Sequence, residues 1–206
     1  GLGDRMTPNE WLDVLVDDSP AMRVRFLGPA PPRAQMYWRG PVLTRFDGEA
    51  WTRGCDLVGE EPPRLQRTTA PLRYEATLEP TERRDVVTLD VPLTAPPGTR
   101  LNHQYSAIAD APVNSLLRFI GESSLSPRSD APLGGYERGL MLQLPPDRDP
   151  RLRARAQAWR AQTPDPLQLS ERFLDWVRTD FEYTLSAPPV GFHASDEFMF
   201  DTKQGF

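Results

Sequence analysis

Cysteine is nearly absent: the 206 residues contain one, Cys55. A single thiol excludes an intramolecular disulfide and any zinc site built from several cysteines. Histidine is scarce as well, with only His103 and His193, and three such residues far apart in sequence give no metal-ligand spacing. No apolar run approaches the ~18 residues of a membrane-spanning helix. No secretory leader is present, and the chain opens Gly1-Leu2-Gly3 rather than with Met, so it reads as an excised soluble piece of something longer. Basic blocks are missing too. The 24 Lys and Arg are mixed among 29 Asp and Glu for a net charge of −5, and no glycine loop of the phosphate-cradling kind occurs, so a nucleic-acid partner is not expected. There is no internal repeat.

Proline, by contrast, is abundant. Twenty-three prolines are about twice the ordinary usage of ~5%. Proline breaks helix interiors and cannot donate to a ladder, which excludes a long-helix bundle or coiled coil. Five Trp, nine Phe and five Tyr are many aromatics for a chain with nothing to bury, which argues against disorder. The length allows one large domain, or one domain and a fragment.

The opening signal is Thr7-Pro8-Asn9-Glu10, a capping box with proline at the first helical position. Trp11, Leu12, Leu15 and Val16 then follow helical spacing, so residues 1–19 are expected to hold a short lead-in helix. From about 20 to 145 the pattern is that of strands. Met22–Phe26 alternates, Gln35–Arg39 and Val42–Phe46 are short runs, and Asp47-Gly48 marks a hairpin tip. Leu72–Leu78 and Val87–Val91 alternate again. Leu101–Ala107, Val113–Glu122 and Gly139–Leu144 complete the expected strands, and the proline-rich joints Gly59–Arg64 and Ser123–Gly135 read as loops. This predicts a mostly antiparallel β-sandwich or open barrel. Trp38 and Trp51 are expected to be mainly buried, with an exposed aromatic platform for a sugar or peptide as the alternative.

Beyond Leu144 the pattern becomes helical. Asp149-Pro150 and Asp165-Pro166 are N-cap and first-turn signals. Leu152, Ala156 and Trp159 share one face, as do Leu169, Phe173, Trp176 and Val177, which predicts a helical hairpin over 150–178. The overall class is therefore α+β.

Candidate chemistry is thin. A nucleophilic thiol needs a nearby base and an electropositive setting. Cys55 follows a predicted strand and precedes Asp56, so it reads as a half-buried strand-end thiol. His103, in the predicted strand run Leu101–Gln104, reads as a histidine satisfied by its neighbours. His193, in the loop Gly191–Ser195, reads as solvated, though loops also carry function. The acid pairs Glu60-Glu61 and Asp196-Glu197 are adjacent in sequence, whereas glycosidase chemistry needs two carboxylates across a cleft. No catalytic, cofactor-binding or metal-binding residue is assigned on this basis.

Two stretches are more specific. Tyr37-Trp38-Arg39-Gly40, followed by Phe46-Asp47-Gly48 and Trp51, resembles the bacterial membrane-anchored transglutaminase-like proteins. Phe181-x-Tyr183-Thr184-Leu185, Pro188-Pro189 and Asp196-Glu197-Phe198-Met199-Phe200-Asp201-Thr202-Lys203-Gln204-Gly205-Phe206 resemble the segment that leads into that family's nucleophile. The family pattern there is F-x-Y-T-L, P-P and D-x-F-L-F-x-T-R-x-G-F-C. Met199 stands for the usual leucine, and Lys203-Gln204 for the common Arg-Arg or Arg-Lys. The resemblance covers almost the whole chain.

It implies a periplasmic portion of a membrane-anchored protein, with an accessory β domain at 20–145 and the start of a papain-like core at 146–206. The catalytic cysteine would follow Phe206, and the histidine and aspartate of its triad would lie further on. Gly205 and Phe206 are then the approach to the nucleophile, placing a thiol at a helix N-terminus where its pKa falls. The whole protein would carry out cysteine-dependent acyl transfer or amide hydrolysis on a peptide or protein without a cofactor. The competing reading is a β interaction module that grips a periplasmic or cell-wall partner and has no activity. The stripe Leu169, Phe173, Trp176 and Val177 needs cover from the β domain, from the 181–206 tail or from a second copy in a homodimer, with tail or homodimer favoured.

Overall fold

A computed structural model describes residues 4–7, 19–54, 62–66, 69–125, 127, 134–184 and 186–205. The lead-in helix expected from Pro8 onward, Cys55, the pair Glu60-Glu61 and Phe206 lie outside the described residues. Fourteen strands appear among the described residues. They are β1 (Arg5–Met6), β2 (Met22–Phe26), β3 (Trp38–Arg39), β4 (Arg45–Phe46), β5 (Trp51–Thr52), β6 (Leu72–Leu78) and β7 (Asp85–Val86). These are followed by β8 (Thr88–Leu89), β9 (Val91–Pro92), β10 (Thr99–Leu101), β11 (Ala107–Ala109), β12 (Leu117–Ser124), β13 (Glu182–Tyr183) and β14 (Gln204–Gly205). The helices are α1 (Gly135–Met141), α2 (Pro150–Gln162), α3 (Pro166–Asp180) and the single turn α4 (Ala194–Asp196). Among the described residues no helix is long and apolar enough to cross a membrane.

The chain divides into two compact units, one of Gly1–Arg5, Asp17–Arg45 and Thr52–Leu142, the other of Met6–Val16, Phe46–Trp51 and Gln143–Phe206. The first unit is built on β6. Its inward residues Tyr74, Ala76 and Leu78 are buried while Arg73, Glu75 and Thr77 face out, as the period of a half-buried strand requires. β6 pairs antiparallel with β2 on one side and β12 on the other, in the order β2-β6-β12-β9. On the outer face Arg25 pairs with Glu75 and Arg23 with Glu79. The Arg25 hydrogen bond holds the Glu75 carboxyl below its ordinary value. Smaller antiparallel groups, β10-β11-β7 and β3-β8, complete this mostly antiparallel unit.

Tyr74 is the centre of this core. Its ring meets Trp38 edge-on at 5.7 Å, Phe119 at 6.3 Å and Phe26 at 6.4 Å. Its hydroxyl accepts from the Leu89 N–H at 2.9 Å, which satisfies a buried donor. Burial pushes the phenol above its ordinary pKa. Gly121 stands opposite Tyr74 in the β12–β6 register, and a Cβ there would lie 2.3 Å from Tyr74 Cζ. Only glycine leaves room for the ring.

Several expected strands differ. Gly139–Leu144 is not a strand, because α1 ends in it at Met141; a short apolar run does not separate the two periods. The 87–91 alternation breaks into β8 and β9, with Asp90 between them at a positive φ of 37°. The run 101–107 is interrupted by a turn through His103 and Tyr105, the latter at φ 61°. His103 is therefore a turn residue, and its Nε2 lies 3.3 Å from Glu137 Oε1. The run 113–122 becomes ordered strand only at Leu117. Gln35–Arg39 begins as the end of a 3-10 turn, Arg33–Gln35, whose entry is set by Pro32 at φ −55°. Of 42–46 only β4 is strand. Trp38 is half-buried, and Trp51 is 37% exposed against the expected burial; its ring stacks on Phe46 at 4.9 Å instead of entering a core.

In the second unit α3 starts as expected, with Asp165 accepting from the Leu167 N–H at 3.0 Å. α2 does not. Asp149 adopts the left-handed region at φ 52° and its side chain does not cap its own helix. The two helices meet edge-to-face through Trp159 and Trp176 at 5.4 Å. β13 and β14 pair in parallel.

Candidate functional site: the segment leading to Gly205

The first turns of α2 and α4 exchange their caps. Asp196, 3% exposed, accepts from the Arg151 N–H at 2.9 Å and the Leu152 N–H at 2.7 Å. Asp149 accepts in return from the Ser195 and Asp196 N–H groups at 3.0 and 3.1 Å. Each carboxylate thus satisfies donors that a helix start leaves unpaired, and each sits at the positive end of the other's turn. The left-handed backbone of Asp149 is what turns its side chain away from α2. Its N–H donates to His193 Nδ1 at 3.1 Å, so the neutral ring carries its proton on Nε2. His193 is therefore part of the cap network and not a solvated loop residue. Glu197 accepts from the Gly191 N–H at 2.7 Å. The pair Asp196-Glu197 is engaged with backbone in different directions, and no two-carboxylate cleft of glycosidase type is formed by it.

From α4 the chain enters a wide π-helical turn, Glu197–Thr202, which lays aromatic rings against α3. Trp176 is their hub, with Phe181 at 5.5 Å, Phe200 at 5.6 Å and Phe173 at 6.3 Å. Phe181 meets Phe198 at 5.2 Å. The tail therefore covers the Trp176 part of the α3 stripe, while Phe173 and Leu174 stay 38% and 46% exposed. Arg151 forks onto Asp201 with two 2.9 Å bonds and lies 4.6 Å over Phe200. That hydrogen bond holds the Asp201 carboxyl below its ordinary value and raises Arg151.

The segment ends by reversing at Lys203, in the left-handed region at φ 52°, whose N–H donates to the Phe198 carbonyl at 2.9 Å. Its ammonium meets Asp180 Oδ2 at 3.2 Å, where the Trp176 indole N–H also donates. The Glu182 N–H then bonds the Lys203 carbonyl at 2.9 Å and the Thr184 N–H bonds the Gly205 carbonyl at 2.7 Å. Gly205 is pressed on Phe198, where a Cβ would come within 2.8 Å of the ring edge. The backbone of residues 204–205 is thereby fixed by a strand partner and by a ring.

Such an arrangement fixes the backbone at Gly205. Among the described residues no cluster of three or more His, Cys, Asp or Glu could hold a metal ion. Each histidine is engaged inside its own unit. The sequence motif spans this segment, and the exchanged caps within it were not expected. The one available signal was the motif aspartate, Asp196, whose partner is far away in the chain.

A family model described as the TgpA N-terminal domain matches residues 1–130. A protein-glutamine gamma-glutamyltransferase of Pseudomonas aeruginosa is 33% identical over 215 residues, covering 100% of this chain and 31% of its own length. The chain thus spans about a third of that curated relative. A crystal structure of the periplasmic domain of TgpA from Pseudomonas aeruginosa superposes with a TM-score of 0.93 at 32% identity, covering 100% of this chain and 72% of its own. The same domain bound to ethylmercury gives 0.91 at 31% identity, with coverages of 100% and 73%.

Proposed function

The chain belongs to the TgpA N-terminal domain family and is a periplasmic portion of a transglutaminase-like protein, and from that premise we propose that it is the non-catalytic part that aims a cysteine nucleophile. In this reading residues 20–145 form an accessory β domain and 146–206 begin a papain-like core, α2 and α3 being its opening helical hairpin. Gly205 and Phe206 are the approach, and the reactive cysteine follows them. The whole protein is membrane-anchored and acts on peptide or protein substrates.

The chemistry is acyl transfer. A thiolate attacks the carboxamide carbon of a glutamine side chain, the C–N bond breaks, and ammonia leaves with a proton donated by an imidazole beyond this segment. The thioester then passes its acyl group to an amine, or to water in the hydrolytic variant. This chain's contribution is position. A nucleophile held within ~3–3.5 Å of its carbon gains from orientation alone, and small misplacements are costly. The observation that carries the reading is the pinning of Gly205 between the Thr184 N–H and the Phe198 ring, at the place where the family pattern puts the cysteine two residues on.

The test uses the protein with the residues that follow Phe206. Gly205→Val is expected to lower kcat for amine incorporation into a glutamine peptide by ~100-fold, the scale of a misplaced nucleophile, with KM little changed. The 206-residue chain alone is expected to show no thiol-dependent turnover. A full kcat in Gly205→Val refutes the reading. Selective binding of a cell-wall or protein partner by a full-length protein without turnover supports the module alternative instead.

A further inference from the structure

The motif Phe46-Asp47-Gly48 with Trp51 has no part in the reading above, and its surroundings give it one. The tip is rigid by itself. The Asp47 N–H bonds the Ala50 carbonyl at 3.2 Å, and Asp47 Oδ1 accepts from the Glu49 and Ala50 N–H groups at 2.8 and 2.7 Å. Gly48 takes a φ of 99°, a region in which side chains are strained, and Phe46 and Trp51 stack behind it. The tip spans 47–50, longer than the two-residue turn its Asp-Gly signal describes.

What rests on this tip is Arg148. A Cβ on Gly48 would lie 2.8 Å from Arg148 Cγ, 2.9 Å from its Nε and 3.2 Å from Pro145 Cγ. The far end of the same side chain sits over Phe192, its guanidinium 3.7 Å from the ring centroid, and its Nη1 donates to the Phe192 carbonyl. The 145–148 stretch is tied down by Arg153, which donates to the Arg148 carbonyl at 3.0 Å and to the Pro145 carbonyl. Phe192 precedes His193, and Arg148 precedes Asp149, so the contact lies at the mouth of the exchanged caps. A planar guanidinium lies flat over a ring while its in-plane N–H groups donate to a carbonyl, a geometry that a compact ammonium does not reproduce.

We propose that the hairpin tip is a positioning element for the approach segment: the bare backbone at Gly48 seats Arg148, and Arg148 fixes Phe192 and with it the entry into residues 193–205. The hold on the segment stands on geometry alone, and the effect on turnover rests on the proposed function.

The test compares Gly48→Ala, Arg148→Ala, Arg148→Lys and the Gly48→Ala/Arg148→Ala double variant in the protein that includes the residues after Phe206. Hydrogen exchange reads the segment directly. Each single variant is expected to speed exchange of amides 191–201 on the order of tenfold, the measure of a lost charge-assisted contact, with strands 72–78 and 117–124 unchanged. The double variant is expected to add nothing to Arg148→Ala, and kcat to fall while KM holds. Unchanged exchange in Arg148→Ala overturns the proposal. So does full additivity in the double variant, since Gly48→Ala would then act through backbone strain only. Faster exchange with an unaltered kcat overturns the positioning role. Coupled exchange effects in a protein without any turnover uphold the tip's hold on the segment and refute the proposed function instead.

Discussion

Replacing Gly121 by alanine adds one methyl group to β12, and its consequence has a sign that tests the packing. Gly121 has an ordinary strand backbone, so without steric conflict alanine would stabilise by ~0.4–1 kcal/mol through the unfolded chain. The structure reverses this. The new Cβ would lie 2.3 Å from Tyr74 Cζ, 2.6 Å from its hydroxyl oxygen and 2.7 Å from Cε1. Tyr74 is fully buried and wedged among Trp38, Phe119 and Phe26, so it has no free direction of retreat. Overpacking of this kind costs about 1–3 kcal/mol. Moving the ring also breaks the bond from the Leu89 N–H, and a buried donor left unpaired costs about 1–3 kcal/mol more. The expected loss is thus ~2–6 kcal/mol, a large share of the ~5–15 kcal/mol that ordinary domains possess. Urea unfolding followed by far-UV circular dichroism measures it as a fall in midpoint at constant slope. Tyr74→Phe alone is expected to lose only the hydrogen-bond part. A Gly121→Ala midpoint equal to or above that of the parent would refute the packing argument for this core.

Other outcomes follow from the second unit and the thiol. Asp196→Ala removes a buried carboxylate from two α2 N–H groups, and Asp149→Ala removes a carboxylate from the Ser195 and Asp196 N–H groups; each is expected to cost about 2–3 kcal/mol, and a parental midpoint for either variant in chemical denaturation would contradict the exchanged caps. The Asp201 carboxyl is held below its ordinary value by Arg151, so its contribution is present above the ordinary carboxylate pKa and is lost as pH falls through the lowered one. Acid titration of amide exchange at 197–202 is expected to show loosening there, and Arg151→Gln to remove the pH dependence; an identical acid profile in that variant would contradict the assignment. Cys55→Ser is expected to leave the unfolding midpoint of the 206-residue chain and its lack of turnover unchanged, and thiol-dependent turnover abolished by that substitution would overturn the reading of Cys55.

What the sequence by itself determined was local. The alternations of Met22–Phe26 and Leu72–Leu78 became β2 and β6 because a half-buried strand repeats every two residues whatever it packs on. Asp165-Pro166 opened α3 because an N-cap needs a partner only two residues away. Tertiary structure alone decided the rest. Asp149-Pro150 carries the same local signal as Asp165-Pro166, yet its carboxylate serves α4 while Asp196 caps α2, a choice made by elements distant in sequence. Trp51 went to a ring stack at a hairpin tip and not to a core. Gly121 and Gly205 look alike in sequence to any loop glycine, but the rings of Tyr74 and Phe198 occupy the space a Cβ would need. Such a requirement belongs to neither residue alone. It exists only once folding has brought ring and backbone into contact, where close packing leaves no spare volume for a methyl group.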